Sequence, residues 1–173
     1  NNVIDLPYSL RSSIKKKINP DYLNDEKHSV LLNPSARNYF RLAASFDYKK
    51  VSSNCKKAIF FYDKAIELRP DFACAYNNRG IRYGALNDIE NQIKDYKKCV
   101  DIDKNHWVYN SLCYVLIKEK KYEEAIVYAK LGYKYHPKEN IYKYRLGQAH
   151  KGLKNYKKAI QYYENYLEEK PKD

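Results

Sequence analysis

The chain has 173 residues, 44% of them apolar, and a formal net charge of +12 at pH 7. That is enough apolar material to bury a core and too much for a disordered tail. No apolar run approaches the roughly 20 residues that cross a bilayer, and the N-terminus has no hydrophobic secretory core, so the chain reads as soluble. The positive balance favours acidic partners by long-range steering without naming them.

In chain order, Leu10, Ile14 and Ile18 fall at i, i+4 and i+8 and predict a short amphipathic helix from Leu10 to Ile18, which Asn19-Pro20-Asp21 breaks. Lys15, Lys16 and Lys17 read as the solvated face of that helix rather than as a contact for an acidic surface. Asn33-Pro34-Ser35 punctuates again. Residues 1–35 are expected to form a cap or extension that shields the apolar face of the helices beginning at residue 36. The chain starts at Asn1 without Met and ends on Pro171-Lys172-Asp173, and it reads as a piece of something longer.

Beyond residue 35 the chain repeats itself. Ala58-Ile59 returns as Gln92-Ile93, Ala125-Ile126 and Ala159-Ile160, at spacings of 34, 33 and 34 residues. Pro70, Pro137 and Pro171 keep the same period, with Lys104 at the missing step. Such a period predicts a solenoid of stacked supersecondary units. Ile59, Tyr62, Ala65 and Ile66 share one helical stripe, the prolines end helices, and small residues at Gly80, Cys113, Gly132, Gly147 and Ala159 mark close helix crossings. Cys99 and Cys113 read as small core fillers. With Cys55 and Cys74 they form no CxxC pair and no zinc-ligand spacing with His, so no metal is expected and the thiols read as free, in the cytoplasm or another reducing compartment.

In the last unit, KYRLGQAHKGLKNYKKAIQYYENYLEEKP supplies Leu146-Gly147, Ala159, Tyr163 and Pro171, with His150 in an aromatic slot. This stretch resembles the tetratricopeptide repeat family, whose 34-residue unit follows W-x2-L-G-x2-Y, then A-x3-F, then P. The second unit fits through Tyr76, Gly80, Tyr83 and Tyr96 but departs at Gln92 and Lys104; the third fits through Tyr109, Leu112, Leu116, Ala125, Ala129, Gly132 and Pro137. The first needs about three extra residues in DYKKVSSNC. The resemblance implies an all-α, right-handed superhelical solenoid of antiparallel helix pairs, with units at 36–72, 73–105, 106–139 and 140–173.

Such an array offers a groove lined by the first helix of each unit. In this register Arg37, Phe40 and Arg41 face it from the first unit and Cys74, Asn77, Asn78 and Ile81 from the second. Trp107, Asn110, Ser111 and Tyr114 follow from the third, and Tyr144, Arg145, Gln148 and Lys151 from the fourth. Arg41, Asn77, Asn78, Asn110, Tyr114, Tyr144, Arg145 and Gln148 are the expected partner contacts. An amide can donate to and accept from an extended guest backbone, and the resemblance assigns that role to Asn78. Trp107 and Tyr114 suit either stacking on a guest or packing between units. The resemblance does not extend to the chaperone-binding form of the repeat, because Phe40, Ala44, Trp107 and Ser111 stand where its Lys, Asn, Lys and Arg should be.

His28, His106, His136 and His150 are scattered, with no nucleophile elbow and no phosphate-cradling glycine loop. No enzyme activity and no cofactor are expected, and His150 reads as a core or interface residue. The expected function is a protein-interaction scaffold or adaptor. RNA binding by a basic solenoid is the alternative, weakened by the mixing of Lys with 21 acidic residues. Ile160, Tyr163 and Leu167 are expected on an end face covered by further chain, a partner or a second copy.

Overall fold

A computed structural model describes residues 22–46 and 52–168. Among these, all regular structure is helical: α1 (Tyr22–Leu32), α2 (Ala36–Phe46), α3 (Ser52–Leu68), α4 (Ala73–Ala85), α5 (Ile89–Ile102), α6 (His106–Lys118), α7 (Tyr122–Tyr135), α8 (Ile141–Gly152) and α9 (Tyr156–Glu168). The expected helix from Leu10 to Ile18, most of the extra residues in DYKKVSSNC, and Pro171 lie outside the described residues. The chain divides into two compact units between Asp95 and Tyr96, inside α5.

In the N-terminal unit the Asn33-Pro34-Ser35 break becomes a cap. Ser35 Oγ accepts from the Asn38 backbone N–H at 3.3 Å, satisfying one of the donors that a helix start leaves open. Asn38 Nδ2 donates back to the carbonyls of Ser29 and Asn33, tying α2 to the end of α1. The core between α2, α3 and α4 is built from Phe40, Ala43, Ala58, Tyr62, Ala65 and Ala75. Phe40 was expected in the groove. It is instead buried, with its ring 5.6 Å from Tyr62 and 4.9 Å from Phe72, because burying an aromatic of this size outweighs its place in the register. The departure at Gln92 also has a structural answer: its amide lies over Gly84, where a Cβ would fall within 2.7 Å of Gln92 Cδ.

In the C-terminal unit Cys113, Ala129 and Leu146 form a core flanked by Ile126, Tyr128 and Tyr162. Burial pushes the Cys113 thiol up to about 12, so it is a packed, unreactive sulfur. The small residues do mark close approaches: a Cβ on Gly132 would meet the Tyr142 ring, and one on Gly147 would meet the Tyr163 ring. Lys104, standing where other units have Pro, folds back over the end of α5. Its Nζ donates to the carbonyls of Val100 at 2.9 Å and Asp101 at 3.0 Å, so a side chain closes the carbonyls that a helix end leaves open.

The turns inside the helix pairs repeat as closely as the sequence does. Asn87, Lys120 and Lys154 adopt the left-handed conformation at φ 61, 57 and 61°. The residue after each donates its N–H five residues back: Asp88 to Tyr83, Lys121 to Leu116 and Asn155 to His150, all at 2.9 Å. This is the Schellman closure, and a non-glycine residue at its left-handed position carries a cost of about 1–2 kcal/mol.

His150 lies 5.4 Å from Tyr162, stacked flat upon it, and is buried with no hydrogen-bond partner on Nδ1. Burial, then the charges of Lys158 and Lys130, lower its pKa below the ordinary histidine value. Unfolding releases the ring to take up a proton, so stability is full above the unfolded-state pKa near 6.5 and falls as pH drops below it. His150→Phe is expected to remove this decline, seen as equal urea midpoints for the variant at pH 7 and 5.5 where the parent loses stability.

Candidate partner-binding faces

The N-terminal unit carries three of the expected contacts, and each is already engaged within the chain. Arg41 Nη2 lies 2.8 Å from Glu26 Oε1, and Glu26, on α1, is only 1% exposed. Asn77 Nδ2 donates to Asn78 Oδ1 at 3.1 Å, and Asn78 Nδ2 donates to the Tyr62 hydroxyl at 3.2 Å. The amide pair is thus set on the surface of α4 by the core tyrosine beneath it. Cys74 and Ile81 are exposed on the same helix.

Sequence reasoning missed Arg79, the charge centre of this unit. Its Nε and Nη2 make two parallel bonds to Asp95 at 2.8 and 2.6 Å, and Nη1 reaches Asp63 at 2.6 Å. The guanidinium also faces the rings of Tyr76 and Tyr83. Burial opposes its charge, but Asp95 and Asp63 outweigh that and hold it above the usual arginine range. Burial likewise raises the Asp95 carboxyl against the pull of Arg79. The signal was available: Asp63, Arg79 and Asp95 are each 16 residues apart, the distance from one helix to the facing turn of the next.

The C-terminal unit brings together the other five. Trp107, Asn110 and Tyr114 fall at i, i+3 and i+7 on α6, whose start is capped by Asn105 Oδ1 accepting from the Trp107 N–H at 2.9 Å. From the adjoining α8, Arg145 Nε donates to Asn110 Oδ1 at 2.8 Å and Nη1 to Gln148 Oε1 at 2.9 Å. The guanidinium carbon sits 5.2 Å from the Tyr114 ring centre and 5.9 Å from that of Tyr144. Trp107 is 71% exposed, and Tyr114, which lies against Arg145, is 46% exposed. Tyr144 packs on Tyr163 and Tyr166 of α9.

His106 and His136, read as scattered, have ring centres 5.9 Å apart. His136 bonds the Lys104 carbonyl, and His106 Nδ1 lies 3.3 Å from the Tyr142 hydroxyl, which donates to the His106 carbonyl. Both rings tie helix ends together. Tyr163 was expected on the open end face but is turned inward against Gly147 and Tyr144, because the glycine leaves room for its ring. Tyr156, Ile160 and Leu167 are the exposed apolar residues of α9. Among the described residues no helix is long and apolar enough to cross a membrane, and no three His, Cys, Asp or Glu side chains gather as a metal site.

An array of helices that repeat at 33 to 34 residues, close their turns identically and leave polar and aromatic side chains exposed defines a helical-repeat interaction protein. Residues 75–106 and 141–173 each match a tetratricopeptide repeat family model, so the chain carries tetratricopeptide repeats over these two stretches. Among curated proteins it is 37% identical over 57 residues to the UDP-N-acetylglucosamine--peptide N-acetylglucosaminyltransferase of Giardia intestinalis and 25% identical over 153 residues to anaphase-promoting complex subunit 3 of Schizosaccharomyces pombe. These matches cover 33% and 87% of this chain but only 4% and 22% of those relatives. The fold is that of MamA (TM-score 0.76, 17% identity, 92% of this chain and 88% of that one). It is also that of YrrB, described as a TPR protein with an unusual peptide-binding site (TM-score 0.69, 20% identity, 84% and 75%).

Proposed function

We propose that this chain is a non-catalytic scaffold or adaptor that grips an extended segment of a partner protein on the α6–α8 face. The observation that carries this reading is the convergence of Asn110, Tyr114, Tyr144, Arg145 and Gln148 on one face, with Trp107 exposed beside them. Exposed aromatics and amides on rigid helices supply apolar area and backbone hydrogen bonding at little cost in side-chain entropy. The peptide-binding description of YrrB and the complex-subunit name of the fission yeast relative are consistent with it. Asn77 and Asn78 form a second, smaller contact on α4, and the apolar residues of α9 a third that favours self-association or a further repeat. Unpaired thiols at Cys55, Cys74 and Cys113 fit a reducing compartment such as the cytoplasm. RNA gains no support, since Arg41 and Arg79 spend their charge on carboxylates within the chain.

Selection of random dodecapeptides, displayed with a blocked C-terminus, against the chain tests the reading. Trp107→Ala and Tyr114→Ala remove exposed side chains and should leave helicity unchanged by circular dichroism. Each is expected to weaken recovered peptides roughly tenfold, in line with an interface aromatic worth more than about 1 kcal/mol. Recovery of no peptide, or of peptides indifferent to both changes, would refute the α6–α8 face as the binding surface.

A further inference from the structure

Arg41, Arg79 and Arg145 are each partly buried on a helix face, and they differ in one respect. Arg41 has Glu26, and Arg79 has Asp63 and Asp95. Arg145 makes no ion pair among the described residues: its partners are two neutral amides and two tyrosine rings. Burial holds its guanidinium below the usual arginine range, with no carboxylate nearby to restore it.

A guanidinium carries five N–H donors, and Arg145 uses two. Nε is taken by Asn110 and one Nη1 hydrogen by Gln148. One Nη1 hydrogen and both Nη2 hydrogens are left over, and these are the donors that can meet a carboxylate. Asn110 and Gln148 keep the fork from turning, and Tyr114 and Tyr144 flank it, so little ordering remains to be done when an anion arrives. A charge desolvated without a counter-ion is destabilising on its own, and at Arg41 and Arg79 the chain answers that cost with carboxylates. The exposed ring of Trp107 stands one turn before Asn110 on α6.

We propose that Arg145 is the anchor for an Asp or Glu side chain of an extended acidic peptide, whose neighbouring apolar residue lies against Trp107 and Tyr114. This rests on the α6–α8 face being the peptide-binding surface and specifies what that surface reads. The net charge of +12 steers such a guest toward it.

The same dodecapeptide selection, scored for composition, separates this inference from the reading beneath it. Peptides recovered on the parent chain are expected to carry Asp or Glu at one register position. Arg145→Gln should weaken them at least roughly tenfold, the scale of a hydrogen bond to a charged group. The decisive measurement is a double-mutant cycle: Arg145→Gln should not change affinity for the same peptide with its acidic residue replaced by Gln. A merely structural role would weaken both peptides alike. Arg145→Lys, which keeps the charge but loses the fork, should bind the acidic peptide more tightly than Arg145→Gln and less tightly than the parent. Synthetic peptides ending in a free acid or an amide should bind equally, because the anchor is internal. Recovered peptides without acidic enrichment, equal losses in the cycle, or binding only of the free-acid form would overturn the inference and leave the peptide face standing. Recovery of no peptide would overturn both.

Discussion

Arg79→Ala is expected to cost roughly 3–5 kcal/mol of stability, the usual consequence of stranding a buried charge by removing its partner. Both oxygens of Asp95, a residue only 2% exposed, take their bonds from Arg79. Without the guanidinium the carboxylate keeps its burial and loses its compensation, so it is driven further toward the neutral acid. That gives the variant a pH signature. With a folded-state pKa above the unfolded value, Asp95 stabilises the variant only where it is protonated, so stability should recover as pH falls from neutral through the folded-state pKa. Urea unfolding of the parent and variant across that range measures both effects. Replacing the pair together, Arg79→Met with Asp95→Leu, should restore most of the loss, because the penalty belongs to the unpaired charge rather than to the absence of an ion pair. If the single and double variants are equally destabilised, the network is not what holds α3, α4 and α5 together.

Gly132→Ala should be the most damaging single-methyl change, at about 2–3 kcal/mol. The added Cβ would lie within 2.6 Å of Tyr142 Cζ. Tyr142 cannot retreat: it is 0% exposed, and its hydroxyl donates to the His106 carbonyl at 3.0 Å. Gly84→Ala is the matched control. There the new methyl meets the far end of the flexible Gln92 side chain, which can swing aside, and the gain of about 1 kcal/mol in helix propensity offsets the disturbance. Thermal unfolding of both variants should show a clear drop for Gly132→Ala and little change for Gly84→Ala. Equal drops would mean that glycine at position 132 serves the backbone rather than the packing.

The candidate face was legible in part. Asn110, Tyr114, Tyr144, Arg145 and Gln148 follow from the repeat register alone, because a fixed period puts equivalent positions of successive first helices on the same side. The register could not say which of those positions the chain itself had filled. Glu26, from a segment outside the repeat, meets Arg41, and Tyr62 meets Asn78. Trp107 and Tyr114, which pattern left between packing and binding, are exposed, and Phe40 is buried.

What the sequence determined by itself was the repeat: its period of 33 to 34 residues, the helices, and the small residues at Cys113, Gly132, Gly147 and Ala159 where helices approach closely. Those are properties of one helix at a time, written in the spacing of apolar and small residues along it. Only the tertiary structure decided how charge and special backbone were accommodated: the closure of α5 by Lys104, the left-handed Lys120 and Lys154 without glycine, the Asp63–Arg79–Asp95 network, and an Arg145 without an acid. Each of these depends on the rotation of one helix against another and on how far a long side chain reaches between them. Hydrophobic spacing carries no record of that.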